Sequence, residues 1–337
     1  MDQPTHSWIA IRAVALLEDT GTEPNLVALL KPHVREASIG AWIPDQADAR
    51  RGGSRVENHV LKMSPYRGGQ PERFVTKKTD LLKHIGPHRL IAGLLDGDRS
   101  LDSQWWAAPY KGDVTTRPGQ HIPNRAMALS TMLKDLLLLG NKRIDALVSG
   151  NVSFVGSLTP EARTQEDAAA VYFFMLSHFV ADACMPCHCD SRKLAGYNNG
   201  LHMQLEKHWA MQVGTYFEKD HLLKSKPLPR VHDVLGKARN VDGKFSLAFS
   251  QTKIPNLIKD HDVWLELIYL CRASFALAGM IASSQSCPYG DDRARAKFKD
   301  LQKSRPKFLA EMDQAVMHDA VLNTAIIWKH VWTGVCR

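Results

Sequence analysis

The sequence predicts an all-α fold, and three observations predict it. Apolar residues recur at three-and-four spacing through several long segments. Alternating β-branched runs bounded by turn signals, the mark of half-buried strands, are nearly absent. The stretches 50–72 and 98–120 are rich in Gly, Arg, Pro and Asp and read as loops.

Taken in chain order, the periodic segments are 6–19, 24–41, 119–148, 161–184, 200–218, 255–285 and 303–332. The first, "HSWIAIRAVALLED", carries Trp8, which reads as a core residue. The fourth must end before Pro186, which cannot continue a helix and biases Met185 away from helical dihedrals. The fifth opens near Gly200. A polar connection at 219–230 and the turn "SCPYGD" at 286–291 separate the late helices without marking a second domain.

Composition bounds the function. A chain of 337 residues, 44% hydrophobic and 23% charged, is globular and can bury a substantial core. A single domain over 1–337 is expected. The net charge of +8 favours anionic partners: phosphates, nucleic acid or an acidic membrane face. No apolar run approaches the roughly 20 residues that cross a bilayer. The start, "MDQPTHSWIAIRAVALLED", has no basic n-region or cleavage site, so the chain reads as cytoplasmic, or as secreted if a leader has been trimmed. Of six cysteines, Cys184 and Cys187 form a CxxC, a possible zinc or redox pair with no second CxxC to complete it.

The stretch "SHFVADACMPCHCD" concentrates the chemistry. His178 and Asp182 are four apart and project from one helical face. The break at Pro186 turns His188 back toward the same end. In "NNGLHMQLEKHW", His202 and Glu206 repeat the four-residue spacing. Two antiparallel helices joined by a short loop would thus present two His–carboxylate pairs with His188 between them. Imidazole nitrogen and carboxylate oxygen at this spacing suit zinc, and suit iron or manganese as well. Either pair alone reads more readily as helix surface or satisfied core than as a metal site; both pairs and His188 in one 29-residue window read as a metal site.

This pattern, HxxxDxxxPxH followed by HxxxE, resembles the zinc-dependent phospholipases C, whose superfamily includes the fungal single-strand-specific zinc nucleases. The resemblance implies a multi-helix bundle of the zinc-dependent phospholipase C type. It covers about 1–62 and 165–215, which leaves 63–160 as an inserted segment or lid. It also implies upstream ligands, and His6, Asp45 and His59 stand in the expected order. Carried over, Asp45, His59, His178 and Asp182 would hold one zinc. His188, His202 and Glu206 would hold a second. His6 would bind a third, bridged to the first by Asp182. Asp48 in the same loop rivals Asp45.

Two departures stand out. In the family the third zinc is completed by an N-terminal tryptophan; here Met1 stands five residues before His6. Either the chain's own amino terminus substitutes, or that site is incomplete and two ions are held. The aromatic residue that follows the histidine in many relatives is Val60 here.

The implied activity is phosphodiester hydrolysis, with Asp45 as a catalytic base or water-orienting residue as well as a ligand. Arg50, Arg51 and Arg55 lie between Asp45 and His59 and are candidate phosphate clamps, or a solvated basic loop. Trp105, Trp106 and Tyr110 cluster in the inserted segment as lid, core, lipid-contacting or base-stacking residues. His84, His88, His208, His261, His318 and His330 show no metal spacing and read as structural or surface. Substrate choice stays open between a phospholipid head group, single-stranded nucleic acid and a 3′-nucleotide. A catalytically silent metal-binding module is the rival class.

Overall fold

The computed structural model describes residues 1–50, 59–63, 66–67, 70–71, 89–97, 121–140, 165–192, 194, 200–224, 227, 229–249, 253–282, 287 and 297–335. Among these the fold is all-α. The helices are α1 (Gln3–Asp19), α2 (Pro24–Leu30), α3 (Ala37–Gly40), α4 (Ile43–Arg50), α5 (Leu90–Gly97), α6 (Ile122–Gly140), α7 (Gln165–Ala183), α8 (Pro186–Cys189), α9 (Leu201–Val213), α10 (Lys219–Lys224), α11 (Val231–Asn240), α12 (Asp242–Phe245), α13 (Val263–Ile281), α14 (Phe298–Ser304) and α15 (Pro306–Thr333). The one sheet among the described residues is a two-residue antiparallel pair, β1 (Tyr66–Arg67) with β2 (Gln70–Pro71).

Helix α1 is the axis of the bundle. Asp2 caps it, its side chain accepting from the Gln3 N–H at 2.8 Å, and Pro4 sits in the first turn where its missing N–H costs nothing. Every residue from Pro4 to Leu17 is buried, so this helix is enclosed on all sides by α3, α7, α9, α11 and α15. Polar groups on it are therefore paired or functional. Arg12 forks onto Asp242 at 2.8–2.9 Å, and the buried Trp8 donates to the Ala238 carbonyl at 3.0 Å. The exceptions are the Thr5 hydroxyl and both ring nitrogens of His6, which have no hydrogen-bond partner.

The buried apolar side chains form one continuous cluster. Within 63–160, α5 and α6 contribute to it: Ile91, Leu95, Ile122, Ala126 and Leu133 are fully buried. Helix α13 has the length and composition of a membrane-crossing segment, yet 67% of it is buried inside the fold, as in a core helix.

Several expected boundaries differ. The segment 24–41 is not one helix: Pro32 tightens the chain into a 3-10 turn at Lys31–His33 before α3 begins. The segment 200–218 stops at Gly214, whose φ of +83° favours glycine. The segment 255–285 becomes helical only at Val263, where Asp262 accepts from the Leu265 N–H at 2.8 Å. The segment 303–332 divides at Arg305, with Pro306 opening α15. Helices α4, α5, α10, α11 and α12 were not anticipated, and β1–β2 lies where 50–72 read as loop. Residues 98–120, with Trp105, Trp106 and Tyr110, and residues 141–164 lie outside the described residues, as do His84 and His88.

Candidate metal centre

Five local devices converge on one point. Helix α1 brings His6, and α7 brings His178 and Asp182 near its C-terminal end. Met185 leaves helical dihedrals (φ −83°, ψ 112°) and Pro186 opens the single turn α8, which carries His188. Residues 61–63 then pair with the chain after that turn. Leu61 N–H donates to the His188 carbonyl at 3.1 Å, Met63 N–H to Cys189 at 2.8 Å, and Ser191 N–H returns to Met63 at 2.8 Å. This short parallel ladder holds the segment that follows His59 against the one that carries His188. Helix α9 supplies His202 and Glu206, and is anchored on α15 by Asp313, which accepts from Trp209 Nε1 at 2.8 Å and faces His208 Nε2 at 2.6 Å.

Asp182 lies at the centre. Its Oδ2 stands 3.1 Å from both His59 Nδ1 and His178 Nε2. Those two nitrogens are 2.9 Å apart, and Asp45 Oδ1 closes the group at 3.5 and 3.6 Å from them. The other oxygen, Oδ1, stands 2.9 Å from the Met1 amino group, 3.2 Å from His188 Nδ1 and 3.4 Å from His6 Nε2. Next to it, His188 Nε2, His202 Nε2 and Glu206 Oε1 lie 2.9–3.5 Å from one another, with the Met1 amino group 3.2 Å from Glu206. The side chains thus form three groups that could hold metal ions: His6–His178–Asp182, Asp45–His59–His178 and His188–His202–Glu206.

The donor atoms fit that role better than they fit a hydrogen-bond network. Ligands of a tetrahedral zinc at ~2.0–2.1 Å are separated by roughly 3.3–3.4 Å, close to the spacings here. Both ring nitrogens of buried His6, and Nδ1 of His188, lack a hydrogen-bond partner. The 3.4 Å approach of His6 Nε2 to Asp182 lacks hydrogen-bond geometry. Buried polar atoms left this way are costly unless something else satisfies them. Second contacts aim the rings: His178 Nδ1 lies 2.7 Å from the Ala41 carbonyl, which fixes Nε2 as the inward nitrogen. That contact depends on Gly40, where a Cβ would meet Phe174 Cβ at 2.7 Å, so α3 can approach α7 only with glycine there.

Electrostatics favour ligand-ready forms of the imidazoles and carboxylates, but hold the amino terminus as an ammonium, which has no lone pair for a metal. Burial drives the His6 imidazole down to about 3, helped by His178 and the amino terminus. Burial also lowers His202. Burial works against the charged forms of Asp182 and Glu206, but the Met1 ammonium and the facing histidines prevail and hold both carboxyls well below their ordinary range. Burial likewise disfavours the Met1 ammonium, yet Asp182, Glu206 and Asp45 raise it to about 11.

Asp182, His59, His188, His202 and Glu206 line a cleft of about 310 Å³ whose wall includes Gln3, Trp42, Asp45 and Val60. Trp42 was not among the residues singled out from the sequence, although it lies one helical turn before Asp45. Asp45 itself is 37% exposed, the most open carboxylate of the centre. The side chains of Asp48 and Arg50, and the whole of Arg51 and Arg55, lie outside the described residues. Cys184, Cys187 and Cys189 are buried with thiols pushed well above their usual range by that burial, and none belongs to a metal-competent group. His208, His261 and His318 pair with Asp313, Glu266 and Asp319 at 2.6–3.4 Å, away from the centre.

No family model, curated protein or solved structure matches the chain.

Proposed function

We propose that the chain is a zinc-dependent phosphoric diester hydrolase of the phospholipase C kind, holding up to three zinc ions. The observation that carries this reading is the division of labour at Asp182. One fully buried carboxylate faces two neighbouring donor groups, with unpartnered imidazole nitrogens around it, at the floor of an open cleft. Asp45, His59, His178 and Asp182 would hold one ion, His188, His202 and Glu206 another, and His6 with Asp182 a third. When bound, zinc supplies a water acidified to a pKa of about 7 and Lewis-acid stabilisation of phosphoryl oxygens.

The chain's own residues do the rest. Asp182, 1% exposed at the floor of the cleft, would serve to bridge. Asp45, in the first turn of α4 and open to the cleft, is placed to orient the attacking water and take its proton. The Ala41 carbonyl keeps His178 in one tautomer. A second reading, a single-strand-specific nuclease or 3′-nucleotidase, draws on Trp42 at the cleft wall and on the net charge of +8, which suit an unpaired base and a polyanion.

Hydrolysis assays of zinc-loaded protein against phosphatidylcholine, single-stranded DNA and 3′-nucleotides test the proposal. Release of phosphocholine supports the first reading, and cleavage of DNA or nucleotide the second. Zinc binding with no turnover of any of them would leave a silent metal-binding module instead.

A further inference from the structure

We propose that a second cavity, separate from the metal centre, binds a small amphiphile with one anionic head, carboxylate or phosphate, and a short hydrocarbon body. The inference does not rest on the hydrolase reading. The cavity holds about 380 Å³, within the usual size of small-molecule sites, and shares no lining residue with the metal cleft. Helix α1 reaches both: His6 enters the metal centre and Leu16 lines the second cavity, ten residues and thus roughly 15 Å further along the axis.

Its walls divide by chemistry. Arg89 and Lys253 bring positive charge and His318 an imidazole, while the remaining described lining residues, among them Phe249 and Leu322, are apolar and none is acidic. Arg89 is not satisfied by the protein. Its Nη2 engages Glu266, but Nε and Nη1 have no hydrogen-bond partner although the side chain is 1% exposed. Buried guanidinium nitrogens without acceptors are costly, and an anionic oxygen is the acceptor they match best. Lys253 is exposed and stands as a second point of attraction.

The apolar part is built in advance. The Phe249 ring lies between the Arg12 guanidinium, 4.6 Å from its centroid, and the His318 ring, 4.9 Å away and nearly parallel at 14°. His318 is held by Asp319 at 3.1 Å, and Asp319 also accepts from the Leu90 and Ile91 N–H groups at 2.8 and 3.0 Å. The opposite strand of chain is fixed where Lys329 Nζ donates to the Ile254 carbonyl at 2.7 Å. A wall so constrained loses little freedom when a ligand enters.

Isothermal titration of the full chain, in its metal-loaded form, with octanoate and octyl phosphate tests this, with octan-1-ol as the uncharged probe. Either anion is expected to bind saturably at one equivalent, at least about tenfold more tightly than the alcohol. Lys253→Glu, at an exposed position where folding is not at stake, is expected to weaken the anion by about tenfold or more. Leu322→Trp fills the cavity and should abolish binding. The proposal is overturned if neither anion binds, if octan-1-ol binds as tightly, or if Lys253→Glu leaves the affinity unchanged. Binding that vanishes in the metal-centre variant His202→Ala but survives in Lys253→Glu would place the anion on the metals and overturn it equally.

Discussion

Two His–carboxylate pairs at the same four-residue spacing differ in burial, one enclosed and the other half-buried. On α7, His178 and Asp182 are 0% and 1% exposed; on α9, His202 and Glu206 are 27% and 22% exposed. The spacing makes each pair share a helical face. The fold decides what that face is worth. The buried pair lies between α1, α3 and the 59–63 segment, so its carboxylate must serve two donor groups and an ammonium at once. The rim pair serves one group, meets the same ammonium through Glu206, and opens to the cleft. Buried and half-buried versions of one motif should therefore fail in different ways.

Asp182→Asn is expected to have the largest effect. It leaves a buried ammonium and a ring of imidazoles without their anion, at a cost of about 3–5 kcal/mol, and removes the shared ligand of the centre. Denaturant unfolding and metal analysis should both register it; a stable Asn variant with full metal would break the comparison. Gly40→Ala comes next, because its methyl drives α3 away from Phe174 and takes the Ala41 carbonyl from His178. Overpacking of this kind costs about 1–3 kcal/mol. Zinc uptake should fall in parallel, without any ligand having changed.

Glu206→Gln should be milder, about 1 kcal/mol in stability, while one metal equivalent is lost. If it destabilises as strongly as Asp182→Asn, the rim and the interior are not distinct. The smallest effect is a slope. In metal-stripped protein, burial lowers His6 from 6.5 to about 3, so the unfolded chain takes up its proton first. Its stabilising contribution is complete above pH 6.5 and is lost as the pH falls from there toward 3. Melting temperature against pH should decline over that window, and His6→Gln should flatten the decline.

Legibility in the sequence followed the range of the interaction. The elements that depend on neighbours in the chain could be read: α7 ending before Pro186, His178 with Asp182, His202 with Glu206, and His188 after the turn. Asp45 and His59 came only through order and resemblance, because the approach of His59 to α7 depends on a ladder between residues 61–63 and 188–191, and that of Asp45 on the packing of α4 against α7. The Ala41 carbonyl, the close contact at Gly40 and the cleft-facing Trp42 left no periodic signal, since each is set by how α3 and α4 pack on α7. Helix ends were missed where apolar spacing ran on past a stop. Pro32, Gly214 and Pro306 are local breaks that outweigh the pattern around them, and the Asp262 cap outweighs the apolar residues before it.

The most direct test of the central claim is zinc content per chain by inductively coupled plasma mass spectrometry, on protein purified without an affinity metal or chelator and compared with Asp182→Asn. Three donor groups predict about three equivalents in the parent protein, with a collapse in the variant. Zero or one equivalent in the parent, even after zinc is added back, would contradict a shared metal centre at Asp182.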